Sequence, residues 1–138
     1  MYELMQAGPC SYYMDCPSKV GFIVLGDEVC LVDTGGDKDA GKKALRLAQG
    51  RGWRVKLVLN THSHADHIGG NRLVQQRTGA PVYAPGIEAG FVRWPVLEPA
   101  TAWGGCPPRA LRGKFWMAQP SDALPAEGAA LPQGIELL

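Results

Sequence analysis

Val55-Lys56-Leu57-Val58-Leu59-Asn60-Thr61-His62-Ser63-His64-Ala65-Asp66-His67-Ile68-Gly69-Gly70 decides how this chain is read. Val55–Leu59 is an apolar-rich run of strand length, which predicts a largely buried strand. Gly69-Gly70-Asn71 leads into Arg72–Arg77, which reads as a helix, near Asn71–Thr78 overall. The three His of the whole protein therefore fall at the carboxyl end of a strand, in the turn that opens a helix. Open α/β sheets place their ligand sites at such ends.

The spacing of the motif has a chemical reading. In near-extended backbone, residues two apart project to one side, so His62 and His64 can offer their imidazoles to one cation. Asp66 and His67 follow after a bend and can reach a second cation beside the first. Imidazole with carboxylate suits Zn²⁺, with iron and manganese also compatible. Two metals roughly 3.5–4 Å apart hold and ionise a bridging water. The competing reading, a helix-capping Asp66 among solvent-facing imidazoles, does not explain why every His is gathered here.

His62-Ser63-His64-Ala65-Asp66-His67 resembles the H-x-H-x-D-H motif of the metallo-β-lactamase superfamily. Upstream, Leu31-Val32-Asp33-Thr34-Gly35-Gly36 is similar to that superfamily's strand ending in an Asp-Thr-Gly turn. The resemblance is specific across roughly residues 20–85. It implies that His62 and His64 bind the first metal and Asp66 and His67 the second, with two Zn²⁺ in an intact site. Asp66 then also serves catalysis by orienting the bridging hydroxide. Asp33 and Thr61 stand behind the ligands and orient them. The implied fold is α/β, one layer and the start of the next in an αββα sandwich. The implied activity is metal-dependent hydrolysis of an ester, thioester, lactone, amide or phosphodiester.

In one respect the chain departs from that pattern. The resembled family draws further His ligands and a bridging Asp from its C-terminal half, and no His follows His67 here. A catalytic zinc normally takes three protein ligands. Leu131-Pro132-Gln133-Gly134-Ile135-Glu136-Leu137-Leu138 alternates like a strand cut in mid-course. The expectation is an N-terminal half of a larger enzyme, truncated at its C-terminus and inactive alone. Two other outcomes stay open: an iron-dependent oxidoreductase of the same superfamily, or an inactive half-domain that folds by self-association.

Composition bounds the remaining classes. With 138 residues, 46% hydrophobic and 20% charged, the chain suits one domain with a real core. A net charge of +1 gives no argument for nucleic acid or an anionic membrane surface, and no apolar run reaches membrane-spanning length. The expected partner is a small-molecule substrate, with a homo-oligomer as the expected assembly. Met1–Gln6 lacks the basic and apolar regions of a signal peptide, so a cytoplasmic location is expected. Cys10, Cys16, Cys30 and Cys106 contain no C-x-x-C pair, which leaves a structural zinc knuckle unsupported.

Along the chain, residues 1–18 read as one short edge strand with irregular flanks. Val20–Leu25 and Glu28–Val32 flank Gly26-Asp27, the pattern of a tight hairpin. Asp37 is a good N-cap for a helix over Lys38–Gln49, closed by Gly50 or Gly52. Val82-Tyr83-Ala84 is a short strand. Residues 1–84 thus form the metal-bearing αβ unit of a single domain spanning 1–138.

Residues 85–130 hold seven of the eleven Pro and three of the four Trp. Glu88–Trp94 and Arg109–Lys114 suggest short helices there. The segment reads either as a lid walling the cleft or as a piece packed on the body or on a second subunit. In the lid reading, Phe91, Trp94, Trp103, Phe115 or Trp116 line the cleft, with Trp94 and Trp116 the candidates for substrate contact. Arg109, Arg112 and Lys114 read as solvated charge.

Overall fold

A computed structural model describes residues 2–136 as seven strands and five α-helices. Strands β1 (Glu3–Gly8), β2 (Ser11–Asp15), β3 (Val20–Leu25) and β4 (Glu28–Val32) form an antiparallel meander. Then β5 (Arg54–Leu59), β6 (Val82–Ala84) and β7 (Ala123–Pro125) add in parallel, giving one sheet in sequence order. Helix α1 (Lys38–Gly50) crosses between β4 and β5. Helices α2 (Ala65–Ile68) and α3 (Asn71–Thr78) cross between β5 and β6. Between β6 and β7 run α4 (Glu88–Arg93), α5 (Leu97–Trp103) and a 3₁₀ turn at Arg109–Arg112. Crossovers between parallel strands are right-handed, so a sheet growing in one direction carries its helices on one face.

That face holds the main core. Met14, Phe22, Val29, Leu31 and Val58 meet Ala40, Ala44 and Ala48 of α1, Val74 of α3 and Val92 of α4. Small alanines on α1 let the helix lie close to the sheet. The opposite face buries Cys30, Leu57 and Leu59, with Ile23, Leu25, Tyr83, Leu131 and Ile135 packed against them. Leu57, Val58 and Leu59 are buried in succession because β5 is covered on both sides.

The expected β3–β4 hairpin forms around Gly26, whose φ is +68°. Asp37 caps α1, its carboxylate accepting from the N–H groups of Asp39 and Ala40. The helix runs to Gly50, and Gly52, at φ +74°, is the glycine that takes the left-handed turn. Helix α3 and strand β6 occupy their expected residues.

Several expectations need correction. Residues 3–15 make two paired strands rather than one, because Gly8-Pro9 turns the chain back on itself. Helix α5 has no counterpart among the expected elements; its Pro99 sits in the first turn, where the missing N–H costs little. A 3₁₀ turn replaces the helix expected over Arg109–Lys114. Among the described residues no second sheet is begun, because all seven strands join one. The strand expected at the C-terminus is absent from residues 131–136, where Leu131 and Ile135 instead fold over the second face; Leu137 and Leu138 lie outside the described residues. No helix among the described residues is long and apolar enough to cross a membrane.

Candidate functional site

The register of the central strands sets the site. Val32 pairs with Leu59, which places Asp33 and Asn60 side by side just past the carboxyl ends of β4 and β5. Asp33 N–H donates to Leu59 C=O at 2.8 Å, and Thr34 N–H reaches His67 C=O at 2.8 Å. The motif loop is thereby stitched to the β4–α1 loop. Their contact is too close for side chains: a Cβ on Gly69 would stand 2.3 Å from the carbonyl carbon of Gly36.

Behind the loop lies a buried polar network. Asn71 Nδ2 donates to Asn60 Oδ1 at 2.7 Å, and Thr34 Oγ1 donates to Asn71 Oδ1 at 2.9 Å. Gly70 N–H returns to Thr34 Oγ1 at 3.1 Å. Each polar group finds a partner, so the loop is held rigidly from beneath.

Asp33 is the centre of the arrangement. Its backbone is left-handed, with φ +61°, which turns its carboxylate toward the motif. Oδ1 accepts from Thr61 N–H at 2.9 Å, and Oδ2 accepts from Thr61 Oγ1 at 2.8 Å. His67 Nδ1 lies 2.8 Å from Oδ2. An ionised carboxylate only accepts, so His67 Nδ1 carries a proton, and in the neutral imidazole the lone pair is on Nε2. The Thr61 hydroxyl proton is committed to Asp33, so at 2.9 Å Thr61 Oγ1 accepts from His62 Nδ1. His62 Nε2 is then also left as a lone pair. One buried carboxylate sets the tautomers of both imidazoles, one directly and one through Thr61.

The rings cluster tightly. The His62 ring centroid is 4.6 Å from that of His64 and 4.2 Å from that of His67. Burial and the neighbouring His67 and His64 push the His62 pKa below its ordinary value, which favours the neutral imidazole. Asp66 Oδ2 lies 3.4 Å from His67 Nε2 and accepts from Ser18 Oγ at 2.7 Å. Burial works against its charge, but the Ser18 hydrogen bond and the two imidazoles outweigh it and hold the carboxyl below its ordinary range.

The structure thus brings His62, His64, Asp66, His67, Asp33 and Thr61 together at one rim of the sheet. Among the described residues, no three His, Cys, Asp or Glu side chains close on a single cation. The donor chemistry nonetheless fits a divalent metal, because His62 and His67 present unprotonated nitrogens beside an ionised carboxylate.

Segment 85–120 flanks this cluster. A hollow of about 320 Å³ beside His64 is lined by Ser63, Glu88, Glu98, Trp103 and Trp116. Trp103 and Trp116 meet edge to face at 4.4 Å. A smaller hollow of about 200 Å³ beside Asp66 is lined by Ser18, Lys114 and Phe115. Trp94, the other substrate-contact candidate, does not line either hollow; it borders a separate one with Arg72, Gln75 and Asp122. Ser18, Glu88 and Glu98 were missed in the sequence, where nothing local marks them as neighbours of the motif.

Residues 13–125 match the model of the metallo-beta-lactamase superfamily. The chain belongs to that superfamily. A hydroxyacylglutathione hydrolase of Erythrobacter litoralis is 45% identical over 49 residues, 36% of this chain and 20% of that protein. A probable metallo-hydrolase of Bacillus subtilis, YybB, is 34% identical over 87 residues, 60% of this chain and 39% of that protein. The structure of MEM-A1, a subclass B3 metallo-beta-lactamase from a soil metagenome library, superposes with a TM-score of 0.67 at 22% identity, covering 90% of this chain and 46% of that one. The chain therefore spans less than half the length of each of these proteins. The likeness to MEM-A1 shows that a superfamily member shares the path of the chain across nearly all of its residues.

Proposed function

We propose that this chain carries the N-terminal metal-binding half of a hydrolase that activates water at a dinuclear zinc centre. The observation that carries the reading is the relay from His62 through Thr61 to Asp33, joined there by His67. It leaves two imidazoles with lone pairs on the same nitrogen, facing one rim. His62, His64, Asp66 and His67 would hold the metals. A bound metal pair supplies an ionised water at neutral pH and polarises the scissile carbonyl.

The chain's own residues have distinct tasks. Asp33 fixes the protons on His62 and His67, so neither imidazole must reorganise on binding. Asp66, ionised near neutrality, orients the attacking water. Ser18 holds the Asp66 carboxylate in place. The aromatic hollow beside His64 limits water access and receives part of the substrate, with Trp103 and Trp116 as its walls.

Among the possible bonds, a thioester is the substrate class we favour, because a relative with 45% identity in the matched stretch is a hydroxyacylglutathione hydrolase. Turnover is assigned to a protein of the relatives' length, and the 138 residues alone are expected to be inactive. Zinc-loaded protein containing this chain is expected to cleave a hydroxyacylglutathione thioester faster than the matching oxygen ester, amide or phosphodiester. Asp66→Ala should abolish that turnover. Equal cleavage by wild type and Asp66→Ala would overturn the proposal.

A further inference from the structure

His62 and His67 are each anchored from within the body of the fold, but His64 is not. Its side chain is 65% exposed, and the charged group facing its Nε2 is Glu98 Oε1, at 3.8 Å. Glu98 lies in the first turn of α5, with its side chain only 20% exposed, in the hollow that also contains Trp103 and Trp116. Glu88, in the first turn of α4, reaches the same place: its Oε2 accepts from Ser63 N–H at 2.7 Å. Ser63 is the residue between His62 and His64. Two carboxylates from separate helices of segment 85–103 thus converge on adjacent positions of the motif.

We infer that Glu88 and Glu98 are positioning residues for His64, supplied by the segment that flanks the site. The inference rests on the metal-binding reading above. Glu88 holds the His62–Ser63 peptide, one residue before His64, and so steadies the backbone that leads into it. Glu98 offers Nε2–H an acceptor, which leaves Nδ1 as the lone-pair nitrogen, opposite to the choice made at His62 and His67. At 3.8 Å the contact is longer than a hydrogen bond, and a small rotation of the exposed ring closes it. All three imidazoles then have one nitrogen assigned to an oxygen acceptor and the other free. The flanking segment is on this account part of the machinery as well as a cover. Partners of this kind are worth about 10- to 100-fold in metal affinity.

Two readouts on the 138-residue chain test this. In the metal-free chain, imidazole ¹⁵N spectra of Glu98→Ala should show shifted His64 ring resonances with those of His62 and His67 unchanged. Glu98→Gln, which keeps an acceptor oxygen, should restore the wild-type pattern. In zinc titrations, Glu98→Ala and Glu88→Ala should each weaken binding roughly tenfold or more, with little further loss when added to His64→Ala. Unmoved His64 resonances in Glu98→Ala would overturn the inference. So would equal losses in the wild-type and His64→Ala backgrounds, since the residue would then act on the fold. A wild-type chain that binds no zinc would defeat the metal reading, while the spectra would still decide the role of Glu98.

Discussion

Replacing Asp33 by Ala removes one side chain and strands three donors: Thr61 N–H, Thr61 Oγ1–H and His67 Nδ1–H. Hydrogen bonds to a charged acceptor are worth about 1.5–3 kcal/mol each, but water can reach the exposed side of Thr61 and replaces part of the loss. The variant also recovers the cost of burying a carboxylate, leaving a net loss of about 3 kcal/mol. Asp33 sits at φ +61°, a region where Ala costs about 1 kcal/mol. The sum of about 4 kcal/mol corresponds to a melting temperature lower by roughly 12 °C in a domain of this size. Differential scanning calorimetry of the metal-free chain measures it. Asp33→Gly separates the two contributions, because it strands the same donors but relieves the backbone, and should melt roughly 3 °C above Asp33→Ala. A drop of less than about 3 °C in Asp33→Ala would refute the claim that this carboxylate organises the site.

Asp37→Ala should cost about 1 kcal/mol through loss of the α1 cap. The Ala40 N–H bond holds the Asp37 carboxyl below its ordinary value of 3.8, so its contribution is full above that pH and fades as pH falls through the lower folded value. Melting curves of wild type and variant should therefore differ near neutrality and converge in strong acid; a gap constant across pH would contradict the capping role. Gly69→Ala should cost about 1–3 kcal/mol in denaturant unfolding, since its methyl would meet the Gly36 and Asp37 backbone, which cannot yield. Gly50→Ala, with open space around it at the end of α1, should be neutral or mildly stabilising, and equal effects at the two positions would discredit the close-approach argument.

Much of this was legible in the sequence because its signals are local. The β3–β4 hairpin follows from Gly26-Asp27 between apolar runs, α1 from Asp37 and its spaced alanines, and the motif from its position after Val55–Leu59. What was illegible depends on distant partners. The β1–β2 hairpin was hidden by β1's weak alternation, since an edge strand needs little burial to form. Strand β7 is only three residues long and ends in Pro125, so its pairing with β6 decides it rather than its own propensity. The Ser18–Asp66 hydrogen bond links positions 48 apart. Glu98 reaches the motif because Trp94-Pro95-Val96 turns α5 back over the site, and Glu88, on α4, meets Ser63 from 25 positions away. Leu131 and Ile135 alternate as a strand would, yet they pack individually on the second face without strand pairing.

The central claim is that His62, His64, Asp66 and His67 bind metal at the rim that Asp33 organises. Isothermal titration of the metal-free 138-residue chain with zinc tests it most directly. The account predicts saturable binding, weaker than that of a complete three-ligand site, that disappears in the triple variant His62→Ala/His64→Ala/His67→Ala while the fold persists by circular dichroism. Binding of unchanged heat and stoichiometry in the folded triple variant, or no binding by the wild-type chain, would contradict it.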